Sequence, residues 1–231
     1  MTAAQQDALV QRAYALMLGA HPELAAGYAQ VVRLLLAQPD KAATLRGKSA
    51  PPAGSDDYFA RLSVLFAQAR QPTAPQKPTT IPDSMVTLIL QHYFGVPAAH
   101  LAQAQDWHLQ AMAAENLVGG LLERYLASVL EPLGWVWCSG SVVKAVDFIL
   151  PPPALGADWR LLQVKNRDNS ENSSSSAIRH GTPIEKWFRS FSRKAETNWA
   201  AFPDAAGREQ LSEAGFQTFV RNYLHGLPQP V

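Results

Sequence analysis

Apolar residues recur every three to four positions over the first third of the chain. Between Ala3 and Leu18 they are Leu9, Ala13, Leu16 and Met17, the spacing of one helix face. His21-Pro22-Glu23 interrupts the pattern, and Pro22 suits the first turn of a second helix running to about Gln38. Its inward side is Leu24, Tyr28, Val31, Val32, Leu35 and Leu36. A third helix is predicted from Ser55 to Ala69. There Asp56 and Asp57 favour the N-terminal end of the helix dipole, and Tyr58, Leu62, Leu65 and Phe66 form the apolar face. These helices predict a small bundle that carries no catalytic constellation and serves as scaffold or dimer contact.

The pattern breaks at Gln71–Pro82, QPTAPQKPTTIP, where four prolines make an extended connector. This divides the chain into an N-terminal helical region, 1–75, and a second region, 76–231. Ser84–Phe94 is a helix with Met85, Leu88, Ile89 and Tyr93 on one side. Pro97 starts another that carries Leu101 and Trp107, and Leu117, Leu121, Leu122, Tyr125, Val129 and Leu130 stripe the stretch from Ala113 to Gly134. Gly119-Gly120 inside that stripe costs roughly 1 kcal/mol per residue relative to Ala, which suggests close approach of another backbone or of nucleic acid. After Gly134 the periodicity changes. Trp135–Cys138, Val142–Leu150 and Trp159–Lys165 read as strands joined by the turns Ser139-Gly140-Ser141 and Pro151–Asp158. A helix feeding a meander predicts an α/β (α+β) fold with a central sheet flanked by helices. Gly207–Val231 reads as one more helix followed by a Pro-containing tail.

With 47% hydrophobic and 17% charged residues over 231, the chain has ample core material and is not a disordered polymer. A single cysteine, Cys138, excludes an internal disulfide and any Cys-built zinc site. The N-terminus has no signal-peptide pattern, and no apolar run approaches the roughly 18 residues of a membrane span, so the expected location is cytoplasmic. Net charge is +1, but it is unevenly spread: Gly140–Ala200 holds nine Lys/Arg against six Asp/Glu. Positive potential therefore gathers around the strands and the polar segment C-terminal to them. His92, His100 and His108 recur at a spacing of eight without a tight ligand pair, so they are expected to be ordinary histidines.

The candidate chemistry sits on the strands. Asp147 lies in the apolar run VVKAVDFIL, and Gln163 and Lys165, two apart in LLQVK, point to one face while Val164 turns to the core. A carboxylate and a neighbouring oxygen ligand converging from adjacent strands suit Mg²⁺, which keeps waters and takes phosphate oxygens. Lys165 beside them can position the attacking water and stabilise charge on the transition state. On the preceding helix, Glu115 and Glu123 are the acids able to join.

This arrangement resembles the PD-(D/E)xK nuclease pattern, written here as Val146-Asp147 followed by Gln163-Val164-Lys165. Val146 replaces the usual Pro. Gln163 replaces an acid, which removes one negative charge from the site. The superfamily often adds a glutamate from the helix before the sheet, and GGLLERYLASVLEPLGW resembles that helix, which favours Glu123 over Glu115.

Directly after Lys165 comes a polar run, NRDNSENSSSSAIRH. Arg pairs with guanine edges or phosphates, Asn with adenine edges or phosphates, and Ser offers hydroxyls. The DNA-contact candidates are Arg167, Asp168, Asn169, Ser170, Asn172, Ser173, Ser174, Ser175, Arg179, His180, Thr182, Lys186 and Arg189, within a recognition segment 166–200. Thr182-Pro183-Ile184-Glu185 has capping-box chemistry and predicts a basic helix carrying Lys186, Arg189, Arg193 and Lys194.

The run from Gln163 to Trp199 resembles the SinI-like type II restriction endonucleases, most densely over Glu115–Pro203. The resemblance implies a bacterial, Mg²⁺-dependent homodimer, without a small-molecule cofactor, that cuts double-stranded DNA at short palindromic sites of the GGWCC or GGNCC kind. It implies Asp147, Gln163 and Lys165 as the catalytic core, with Glu123 as helper. Two rivals are carried beside it: a DNA-binding protein of nuclease ancestry that no longer cuts, and a structure-specific repair nuclease.

Overall fold

In a computed structural model of the chain, residues 1–47, 49–154, 157–168 and 181–228 are described. Three N-terminal helices come first: α1 Ala3–Ala20, α2 Ala25–Ala37 and α3 Asp56–Gln68. Thr2 begins α1 with a reciprocal capping box, its hydroxyl accepting the Gln5 N–H while the Gln5 side chain accepts the Thr2 N–H. Ser55 caps α3 by accepting the Tyr58 N–H at 3.2 Å, ahead of the acidic first turn that the charge pattern predicts. α4, Ser84–His92, and α5, Leu101–Leu130, come next. The two apolar stretches read separately between Pro97 and Gly134 form this one α5, about 45 Å long at 1.5 Å per residue. It closes through a short 3₁₀ turn on Gly134, whose φ of 91° is the left-handed stop that glycine adopts without a Cβ clash.

The sheet has four strands in the order β1-β2-β3-β4: Val136–Trp137, Phe148–Leu150, Arg160–Arg167 and Ile184–Ser190. The first two pairings are antiparallel, as a meander requires, and β3 pairs with β4 in parallel. Two helices close the chain, α6 Ala205–Gln210 and α7 Glu213–His225, where the sequence reads as one. Asp204 and Ser212 each cap one of them through a side-chain oxygen.

Each face of the sheet has its own core. α1, α2 and α3 cover one face, packing Tyr28, Val32, Leu62 and Phe66 against Val136, Ile149, Leu161 and Ile184. α5, α6 and α7 cover the other, packing Leu122, Leu126, Leu130 and Phe216 against Trp137, Phe148, Leu162, Val164 and Trp187. Residues adjacent in β3 therefore point into different cores, as strand alternation demands.

Three expectations are corrected. Ile184–Ser190 is a strand, not the start of a helix: Ile184 enters one core and Trp187 the other, and pairing with β3 outweighs the local capping-box signal. The strand expected over Val142–Leu150 is pared to Phe148–Leu150, because Ala145 adopts a left-handed φ of 56° and turns the chain just before Asp147. Gly119 and Gly120 meet no described atom within 4 Å where a Cβ would stand, so no close backbone approach within the described chain accounts for them.

Candidate active site

Asp147 lies just outside β2 yet remains fixed within the sheet. Its N–H donates to the Leu162 carbonyl at 2.9 Å, and its carbonyl accepts the Cys138 N–H at 2.8 Å. With the backbone held on both sides, the side chain is directed at β3, where Oδ2 accepts the Val164 N–H at 2.7 Å. The carboxylate thus takes a ladder donor that a partner strand's carbonyl would otherwise take, and it fills a split between β2 and β3. Val164 is the residue between Gln163 and Lys165, so one hydrogen bond brings the acid level with both.

Gln163 is buried (2% exposed) and stands beside Lys186 in the β3–β4 register; Lys165 is half-buried and stands beside Phe188. By strand alternation Gln163, Lys165 and Arg167 share the face that begins at Leu161.

Glu123, on α5, comes within electrostatic reach of Asp147 and Lys165. Its Oε2 accepts the Trp137 indole N–H at 2.9 Å, which anchors the carboxylate at the end of β1. Burial, with the negative charge of Asp147 nearby, pushes the Glu123 carboxyl up to about 7, against the opposing pull of Trp137, Lys165 and Arg124. Burial likewise raises Asp147, although the Val164 N–H and Lys165 favour its charged form. Glu115, two turns earlier, is exposed and apart from this group.

Two acids that burial holds back from ionising, with the charge of Asp147 adding to the shift of Glu123, are a donor set that a divalent cation would relieve. The Gln163 amide, next to Val164 on β3, is the neighbouring oxygen donor that could complete an all-oxygen set with them. Among the described residues no three His, Cys, Asp or Glu side chains cluster as a metal group; position 163, where the nuclease pattern has its second acid, carries an amide.

Two arginines absent from the sequence-based site hold this frame. Arg124, next to Glu123, donates to the carbonyls of Ala69, Arg70 and Gln71 and so closes the end of α3. Arg70 grips Glu131 through two contacts, 3.1 and 2.7 Å, and also reaches Ser139 Oγ and the Trp137 carbonyl. The adjacency of Arg124 to Glu123 was the available clue; the reach to residues 69–71 is tertiary.

Of the DNA-contact candidates, Arg167 is exposed at the end of β3, and Lys186 and Thr182 are half-buried on and just before β4. Asp168 Oδ1 accepts the Ser192 N–H at 2.8 Å. Arg189 is committed within the chain, donating to Asn166 at 2.9 Å and to Glu213 at 2.6 Å, with its guanidinium over the Phe216 ring. Asn169, Ser170, Asn172, Ser173, Ser174, Ser175, Arg179 and His180 lie outside the described residues.

A mixed sheet flanked by helices, with an acid in the β2–β3 split and a Gln-x-Lys on the next strand, defines a PD-(D/E)xK-like nuclease fold. The family model for SinI restriction endonuclease matches residues 12–226. The chain is 46% identical over 205 residues to the type II restriction enzyme SinI of Salmonella infantis, covering 88% of this chain and 89% of that protein. It is 45% identical over the same length to the type II restriction enzyme Eco47I of Escherichia coli, with the same coverage. The chain belongs to the SinI restriction endonuclease family and is a type II restriction endonuclease, a site-specific deoxyribonuclease.

Proposed function

We propose that this chain is a Mg²⁺-dependent homodimer of the bacterial cytoplasm that cuts double-stranded DNA at a short palindromic site of the GGWCC or GGNCC kind, leaving 5′-phosphate ends. The observation that carries the catalytic reading is the Asp147–Val164 hydrogen bond, which brings a desolvated acid level with Gln163 and Lys165. Asp147, Glu123 and the Gln163 carbonyl would hold the cation. When bound, it supplies Lewis-acid polarisation of the phosphate and an acidified water. Lys165 orients the attacking water and offsets charge building on the phosphoryl oxygens. The new bond joins water oxygen to phosphorus, the P–O3′ bond breaks in line, and the 3′ oxygen leaves with a proton as a hydroxyl.

Base and phosphate contacts are assigned to the segment 166–200, with Arg167, Thr182 and Lys186 on or beside the strands that carry the chemistry. A twofold-symmetric site read by a twofold dimer receives two nicks. No helix among the described residues is long and apolar enough to cross a membrane.

Digesting a sequenced plasmid with Mg²⁺ and sequencing the ends tests this reading. Discrete fragments sharing one palindromic junction and 5′-phosphates are expected. Gln163 favours one alternative, a DNA-binding protein that has lost cutting. Site-specific retardation of a duplex with no cleavage in any divalent cation would establish that alternative and refute ours.

A further inference from the structure

From Gln71 to Met112 not one residue is buried, and the first core contact of α5 is Ala113. The segment comprises the connector, α4 and the first three turns of α5; Arg124 and Tyr223 tie its start at Gln71 and Thr73 to the body, and beyond them it leans on itself. Thr87 Oγ1 accepts from Gln105 at 2.5 Å, and Lys77 pairs with Asp106 at 2.5 Å. This arm is nevertheless strongly apolar. Met85, Leu88 and Ile89 share one face of α4 by i, i+3, i+4 spacing and are 45–54% exposed. Tyr93 (82%), Phe94 (67%) and Trp107 (61%), on the same arm, are more exposed still.

The arm also lacks charge. Between Asp83 and Asp106 there is no Asp, Glu, Lys or Arg, in a chain that is 17% charged overall. Depletion of charge with enrichment of aromatics and Met marks the centre of a protein interface. At these exposures the six side chains offer on the order of 700–800 Å², close to the roughly 800 Å² per partner of a stable interface. DNA is a poor occupant, since no Lys or Arg occurs from Pro78 to Glu123.

We infer that the α4–α5 arm is the dimer surface and that its occupant is the same arm of a second copy of this chain. An uncharged patch can meet itself across a twofold axis without like-charge repulsion, as an isologous interface requires. The inference rests on reading the chain as a cutter of twofold-symmetric sites, and it says where the second subunit attaches. Trp107 and Glu123 lie on one helix, about 24 Å apart at 1.5 Å per residue, so the pairing surface and the active-site acid are rigidly joined. Gly119 and Gly120, open on that helix, leave room for the partner to approach.

Sedimentation equilibrium of the full chain without DNA, at micromolar concentration, tests the surface. The wild type is expected at twice 25.2 kDa. The double variant Leu88→Glu/Ile89→Glu is expected at the single-chain mass with an unchanged far-ultraviolet circular dichroism spectrum, because both side chains are exposed and outside the cores, while its melting temperature falls by the stabilisation that the partner supplied. A wild type at single-chain mass, or a variant still at double mass, overturns the inference. A second variant guards against misfolding. Ile89→Cys should join into covalent dimers with a bismaleimide, whereas Leu18→Cys, exposed on α1, should not; equal yields from the two overturn it. Plasmid cleavage is scored separately. A dimer that never cuts counts against the catalytic reading and leaves the surface standing; a cutter at single-chain mass counts against the surface alone.

Discussion

The carboxylate of Asp147 accepts the backbone N–H of Val164 at 2.7 Å, so the acid that would hold the metal also pins the strand that carries Gln163 and Lys165. One side chain would then have both a structural and a chemical task, and two substitutions separate them. Asp147→Asn keeps a carbonyl acceptor and should unfold in urea close to wild type while losing cleavage. Asp147→Ala should lose cleavage and also about 1–3 kcal/mol, because a buried N–H is left without its partner. Urea titration beside a cleavage assay checks both; an Asp147→Asn protein that still cuts removes the acid from the mechanism.

Gln163 makes the site one charge short of the nuclease pattern. Restoring the acid with Gln163→Glu should tighten divalent-cation binding measured by calorimetry, whereas the near-isosteric Gln163→Met should abolish it. Identical affinities in all three proteins would show that this buried side chain is not a ligand.

The raised carboxyl of Glu123 links metal, pH and stability. In the unfolded chain this group loses its proton near 4.5; in the folded chain it keeps it up to about 7. The folded state therefore holds the extra proton between those values. The stability it contributes is complete below about 4.5 and is lost as pH rises through about 7. A divalent cation must displace that proton, so its affinity should climb between about pH 6 and pH 8. Glu123→Gln should flatten the metal-free melting profile across that window, and a profile as steep as wild type would contradict the assignment.

The basic residues after Lys165 should divide into two behaviours. Arg189 is tied to Asn166, Glu213 and the Phe216 ring, so Arg189→Ala should lower stability by about 2–4 kcal/mol. Arg167 is exposed at the strand end, so Arg167→Ala should cost less stability but weaken DNA binding. If Arg167 meets a phosphate, that variant should also reduce the slope of affinity against salt by about 1. Titrations of duplex at several salt concentrations, beside thermal melts, distinguish the two.

Much of the fold was legible locally because its signals are local. The spacing of Leu9, Ala13 and Met17 and the Ser55-Asp56-Asp57 cap mark helices, and short apolar runs between turns mark the meander. The features that were not legible are tertiary. Ile184–Ser190 carries a helix-start pattern but becomes a strand through parallel pairing with β3, a partner some two dozen residues away. The left-handed turn at Ala145 has no glycine to announce it and costs about 1–2 kcal/mol. It is nonetheless the turn that swings Asp147 into the split. Strand alternation and apolar flanks brought Asp147, Gln163 and Lys165 together as a candidate group, and the hydrogen bond through Val164 supplies a physical reason for their proximity. The preference for Glu123 over Glu115 depended on resemblance; the Trp137 indole that anchors Glu123 is a tertiary contact that no spacing rule reveals.

Lys165 alone of the group is asked to act on the attacking water. The decisive measurement is single-turnover cleavage of a duplex containing the site by wild type and Lys165→Ala, beside gel-shift affinity for the same duplex. Cleavage should fall by at least about 10²-fold, the scale of losing one positioned proton-handling or charge-stabilising group, with affinity within a few-fold of wild type. A Lys165→Ala protein that cuts at the wild-type rate would remove Lys165 from the chemistry.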